Sequence, residues 1–154
     1  MHVRGTETSG IQDICDTFYP QDYEDIMVLG DHISFKWGIK GDNYNFQLRN
    51  SSNDQLIIDV EIKDTFVDIP FDKLKPGFVY NWKVVEKASN TTCQASFSIL
   101  SEQDTHELKN NLNEITLLLP KNANQETKIR LQSSYLLSEG LIFNAFSLLE
   151  ANGF

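Results

Sequence analysis

The sequence predicts an antiparallel β-sandwich followed by a short α-helical segment. Three observations carry that prediction. Hydrophobicity alternates with period two from residue 31 to about residue 100. Glycine, proline, asparagine and serine interrupt the alternation at short intervals, as antiparallel turns require. After Ser101 the apolar spacing changes to that of helices. A run of strands and then a run of helices is the order expected of modules in series. Residues 1–12 read as a flexible lead-in, 13–100 as a sandwich of about seven strands, and 101–154 as three helices.

The lead-in is polar and carries two glycines. Residues 13–30 are acidic around Phe18-Tyr19-Pro20, and the proline should end a strand or hold it at a sheet edge. Ile33, Phe35 and Trp37 then alternate with Ser34 and Lys36, predicting a strand with one wet face. Gly38 and Gly41-Asp42 punctuate it. Tyr44, Phe46 and Leu48 alternate with Asn45, Gln47 and Arg49 as the next strand, and Asn50 to Asp54 form a turn. Leu56 to Ile62, then Phe66 to Ile69 closed by Pro70, give two more strands. A long strand spans 78–87, Ala88-Ser89-Asn90 turns the chain, and Cys93, Ala95, Phe97 and Ile99 mark the last strand.

Ser101 with Asp104 has the form of a helix-capping pair. Leu108, Leu112, Ile115 and Leu119 follow at helical spacing, and Pro120 stops the run. A second helix is expected from about Asn124 to Glu139, with Ile129, Leu136 and Leu137 inward. Gly140 suits the left-handed residue that ends a helix. A third helix covers Leu141 to Glu150, with Ile142, Ala145, Phe146 and Leu149 on one face.

The stretch Leu74-Lys75-Pro76-Gly77-Phe78-Val79-Tyr80-Asn81-Trp82 sets a rigid turn before large aromatics spaced two apart. Phe78, Tyr80 and Trp82 should share the core face, because side chains alternate along a strand. Tyr80 can bury its ring and return its hydroxyl to a backbone carbonyl near the corner, as Greek-key sandwiches do. Leu74 would plug the core beneath the loop, and Trp37 would fill its centre. Val79, Asn81, Lys83 and Val85 would face outward.

At 154 residues the chain is long enough to bury a core without staples. Thirteen basic against twenty-two acidic residues give a formal charge of −9, which argues against a nucleic-acid partner. No stretch approaches the roughly 18–20 apolar residues of a membrane span. The opening residues lack the apolar core of a signal peptide, so the protein is either cytoplasmic or has a leader or anchor upstream of Met1. Cys15 and Cys93 could pair if the first and last strands lie close; two separate small core residues are the simpler expectation.

Ile33 to Trp37, Tyr44 to Leu48, and Leu74 to Gly77 with Tyr80-Asn81-Trp82-Lys83-Val84 together resemble a fibronectin type III-like, Ig-like domain over roughly residues 20–100. Ile129, Tyr135-Leu136, Gly140, Ile142, Ala145 and Leu149 look like one tetratricopeptide-type helical hairpin over about residues 123–152. The hairpin departs from that pattern at Gln132 and Ser133. The pairing of such a sandwich with Glu139-Gly140-Leu141 and Ala145 is similar to regions of bacterial extracytoplasmic, membrane-anchored or regulatory proteins. The resemblance implies a leader or anchor upstream. A single repeat cannot stand alone, so this hairpin must pack on the sandwich, on a second copy or on another partner.

No catalytic, cofactor or metal site is expected. His2, His32 and His106 form no zinc-binding spacing and read as surface residues. Nucleophile-elbow and phosphate-loop patterns are absent. The acidic run Asp13–Asp31 lacks the order of a calcium loop and reads as a solvated edge. The sequons Asn50-Ser51-Ser52 and Asn90-Thr91-Thr92 fall in turns and would matter only in a eukaryotic secreted protein.

The expected function is therefore non-catalytic protein–protein interaction or scaffolding. Leu141, Phe143, Phe146 and Phe154 in the apolar tail over residues 141–154, with Asn81 and Lys83 on the outward sheet face, are the candidate partner-binding residues. Self-association through the terminal helices is the companion expectation. The alternative is a carbohydrate-binding or accessory module of a polysaccharide-acting protein, which needs two coplanar exposed rings near residues 18–23 or 78–82.

Overall fold

The computed structural model describes Cys15 and residues 17–154. The lead-in over residues 1–12, His2, Asp13 and Asp16 lie outside the described residues. The chain is an Ig-like β-sandwich followed by three helices. Its strands are β1 (Glu24–Ile26), β2 (His32–Lys36), β3 (Tyr44–Asn50), β4 (Leu56–Ile62), β5 (Phe66–Pro70), β6 (Val79–Glu86) and β7 (Thr92–Ile99). The helices are α1 (Glu102–Leu117), α2 (Gln125–Ser138) and α3 (Ile142–Ala151).

One sheet has five strands in the order β1-β7-β6-β3-β4; β2 and β5 pair antiparallel as the other. β1 runs parallel to β7, and the remaining pairs of the larger sheet are antiparallel. Just before β1, Tyr19 forms a single antiparallel bridge to Lys36 of β2. The chain therefore leaves the smaller sheet after Tyr19 and joins the larger one at Glu24, passing through a cis Tyr19-Pro20 bond.

Period-two burial gives each inner face its residues. Tyr44, Phe46 and Leu48 on β3, Tyr80, Trp82 and Val84 on β6, and Ile33 and Phe35 on β2 are all buried. Their rings interlock. Phe18 stacks on Trp82 at 3.5 Å between centroids, and Phe35 meets Phe46 and Trp82 edge-on. Trp37 lies just beyond β2 and is buried against Tyr44 and Phe46.

The corner before β6 forms around the buried Leu74 and Tyr80. The Tyr80 hydroxyl accepts the Lys75 N–H at 2.7 Å, where the expectation was donation to a carbonyl. Phe78 also departs from expectation, being 42% exposed. It still belongs to the turn: its N–H bonds the Lys75 carbonyl, and β6 starts one residue later.

Cys15 and Cys93 form a disulfide that closes a separation of 78 residues. The expectation of two separate core thiols is corrected. Cys15 lies close to β7, its Cα 5.6 Å from that of Cys93, within the separation a disulfide allows.

Each helix start is capped as the sequence suggests where a capping side chain exists. Ser101 Oγ accepts the Asp104 N–H at 3.1 Å, and Asn124 Oδ1 accepts the Thr127 N–H at 2.8 Å. Gly140, at φ +80°, ends α2 with the bond pair Gly140 N–H to Leu137 and Leu141 N–H to Leu136. Buried Leu136 and Leu141 meet across this turn, the apolar contact that usually accompanies it.

The helices share a core with the sandwich. Met27, just past β1, is fully buried among Leu112, Leu136, Leu141 and Ala145. Leu137, expected inward, is 43% exposed. On α3 the buried side is set by Asn144 and Ala145, following Leu141, while Ile142 and Phe146 face out at 46% and 54% exposure. The four residues assigned to one face of this helix are thus split between two environments.

Candidate functional site: a groove between β2 and the terminal helix

Beside β2 the sandwich and α3 do not meet completely, and a groove of about 750 Å³ lies between them. Ligand sites commonly have this size. Its sheet side carries His32, Ser34 and Lys36, whose side chains point away from the core on the wet face of β2. Ile142, Phe143 and Phe146 form its helical wall. Phe143 also packs on the sandwich core and anchors that wall. Tyr19 and Gln21 bound the groove where the chain leaves β2.

Its charge is predominantly acidic. Glu24, Asp31 and Glu150 line it, while Lys36 is ion-paired with Glu150. Burial raises the Glu24 carboxyl above its ordinary range, and the Gln21 N–H, bonded at 2.9 Å, opposes that shift. Asp31 is held lower by a hydrogen bond from the neighbouring His32 ring at 2.8 Å. One wall is apolar and the rim is carboxylate, so the groove suits a ligand that is partly hydrophobic and partly cationic.

The candidate residues named from the sequence do not converge. Phe146 and Phe143 do reach the groove. Leu141 is only 2% exposed and belongs to the core between the helices, so its surface is closed to a partner. Phe154 is half exposed, with the Arg130 guanidinium 4.9 Å over its ring. Asn81 and Lys83 are half-buried on the outward face of β6, in the larger sheet rather than beside the groove. The Asn81 carboxamide oxygen there accepts from the Ser96 hydroxyl.

Sequence reasoning missed Glu24, Asp31 and Ser34 as groove residues. Its one usable signal was the wet face of the 33–37 strand. His32 lies at the start of β2 and His106 is exposed on α1 beside Asn110. Among the described residues no group of three or more His, Cys, Asp or Glu side chains could hold a metal ion. No helix among them is long and apolar enough to cross a membrane.

No family model matches the sequence, and no curated protein does. Among solved structures, the chain is similar to one described as titin kinase and its flanking domains, at 14% identity and a TM-score of 0.36. The match covers 61% of this chain and 20% of that one.

Proposed function

We propose that this chain is a non-catalytic protein–protein interaction or scaffolding module, working outside the cytoplasm, whose binding surface is the groove between β2 and α3. One observation carries the reading: Ile142 and Phe146 stand half exposed on the wall of a groove whose other side is a sheet edge. Large apolar side chains gathered at a concave surface mark interaction sites more often than scattered ones do. The Cys15–Cys93 disulfide supports an oxidising compartment, where such bonds persist. A bacterial origin and an upstream anchor follow from the resemblance alone.

The finer family reading also belongs here. A fibronectin type III-type sandwich is supported by the tyrosine corner at Tyr80 and by β4 pairing with β3 in the larger sheet. A tetratricopeptide-like hairpin of α2 and α3 is supported by the left-handed Gly140 and the fully buried Ala145.

Photo-crosslinking in the organism that makes the protein tests the function. A photoreactive residue replacing Phe146 should trap a protein of discrete mass, and the same residue at Lys83 should not. Absence of a protein adduct at both positions, together with retention on immobilised polysaccharide, would overturn the reading in favour of glycan binding. The exposed rings Tyr19, Tyr23 and Phe78 form no ring–ring contact among the described residues, which is why the protein partner is preferred.

A further inference from the structure

We propose that the groove takes up an extended peptide strand, which adds to the stretch of the β2 edge that His32 and Ser34 leave unpaired among the described residues and alternates apolar with basic side chains. This rests on the interaction-module reading and specifies its partner's chemistry.

The register of β2 shows which backbone groups are available. Phe71 N–H bonds the Asp31 carbonyl, and Trp37 N–H bonds the Thr65 carbonyl. Odd-numbered residues of this strand therefore turn their hydrogen-bonding groups toward β5. Even-numbered ones turn theirs to the opposite edge. Lys36 confirms the direction, exchanging two hydrogen bonds of 2.8 and 2.9 Å with Tyr19. His32 and Ser34 aim along the same edge, and no described residue pairs with their backbone groups. The chain that starts to cover this edge at Tyr19 departs at once for the larger sheet. A second strand could continue the ladder from where Tyr19 ends it.

The outer edges of β4 and β5 are blunted against pairing. β5 presents Asp68 and Pro70 along its outer edge, and Pro70 has no N–H to donate. β4 carries Asp59 and Glu61, with Lys87 bound to Glu61. Charges and prolines of this kind discourage edge pairing. At β2 the edge instead opens into a groove with an apolar wall. Strand addition draws affinity from main-chain bonds and selectivity from pockets for alternate side chains. Phe143 and Phe146 supply the apolar pocket here.

Charge selects the occupant. Glu24 and Asp31 face the groove, and Lys36 is engaged by Glu150. A second copy of this chain brings a net charge of −9 to the same surface and is disfavoured. Lysine or arginine side chains on alternate positions of an incoming strand would meet those carboxylates.

The test uses fluorescein-labelled Lys-Val-Lys-Ile-Lys-Val-Lys and its glutamate counterpart, Glu-Val-Glu-Ile-Glu-Val-Glu, on the whole chain at low salt. Fluorescence anisotropy gives affinity, and amide hydrogen exchange followed by NMR gives location. The basic peptide should bind at least tenfold more tightly than the acidic one, and it should slow exchange of the His32 and Ser34 amides about tenfold. Ser34→Pro removes one edge donor together with the Ser34 hydroxyl's hydrogen bond to Asp68 on β5, whereas Ser34→Ala removes only the latter; binding should weaken about tenfold in the proline variant and stay within about twofold of the parent in the alanine one. If the proline variant does not fold, the exchange pattern of the unaltered protein still decides. Binding that leaves the His32 and Ser34 amides unprotected would overturn strand addition while leaving an interaction groove intact. Equal affinity for both peptides, or none for the basic one at about 1 mM, would overturn the proposed partner chemistry; the crosslink at position 146 judges the broader function separately.

Discussion

Asn144 makes two hydrogen bonds of 2.8 Å to the backbone of Met27, 117 residues away in sequence. Its side-chain oxygen accepts the Met27 N–H, and its amide nitrogen donates to the Met27 carbonyl. Both residues are buried. The bonds stand in for a strand partner at the point where β1 ends and fix α3 against the sandwich. Asn144→Ala would leave a buried donor and a buried acceptor without partners. The expected loss is about 2–4 kcal/mol, read as a fall in the urea midpoint. A loss below about 0.5 kcal/mol would show that this contact does not hold the helix.

The disulfide acts mainly on the unfolded chain. Closing a separation of 78 residues removes conformational freedom that the reduced chain would regain. Chain-entropy arguments put the effect at about 4.5 kcal/mol, and measured cases usually fall between about 2 and 4. The double variant Cys15→Ala with Cys93→Ala should lose stability in that range while keeping its far-ultraviolet circular dichroism. An equally stable reduced protein would contradict this.

At the corner before β6, Tyr80 and Phe78 should respond differently. Tyr80→Phe keeps the buried ring but deprives the Lys75 N–H of its acceptor, costing about 1 kcal/mol. Phe78→Ser should cost less than about 2 kcal/mol, short of the roughly 3–5 kcal/mol of a fully buried phenylalanine, because the residue is 42% exposed. Thermal unfolding of the two variants side by side checks the pair. A loss at Phe78 as large as that of a fully buried phenylalanine would restore it to the core face that simple alternation assigns it.

The sandwich was legible because its residues obey local rules. Tyr44, Phe46 and Leu48 alternate into the core with no help from elsewhere, and so do Tyr80, Trp82 and Val84. Gly140, Ser101 and Asn124 announce helix ends through conformational or hydrogen-bonding needs of their own. The groove was not legible, because residues 19–36 and 142–151 build it together. Asn144 reads as a polar, outward residue in any helical pattern, yet its partner is a backbone unit no pattern reveals. Cys15 lies where alternation is absent, so its distance from Cys93 could not be inferred.

Glu24 links stability to binding. Its folded-state pKa is raised from the ordinary 4.5 because burial disfavours its charged form. The unfolded chain thus ionises more readily, and the folded state is penalised as pH rises from that ordinary value through the folded one. Below that window both states are neutral and the penalty vanishes. Glu24→Gln keeps an acceptor for the Gln21 N–H and removes the charge. The variant should be slightly more stable at pH 7, by less than about 0.5 kcal/mol, and match the parent below about pH 4. Calorimetry at the two pH values measures this. In the proposed groove the same change removes a carboxylate facing an incoming cationic side chain, so affinity for the basic peptide should fall about three- to tenfold at pH 7. Such opposition is expected of a residue kept for recognition at a cost in stability. Loss of both stability and binding at pH 7 would instead make Glu24 a structural residue whose carboxylate the fold requires.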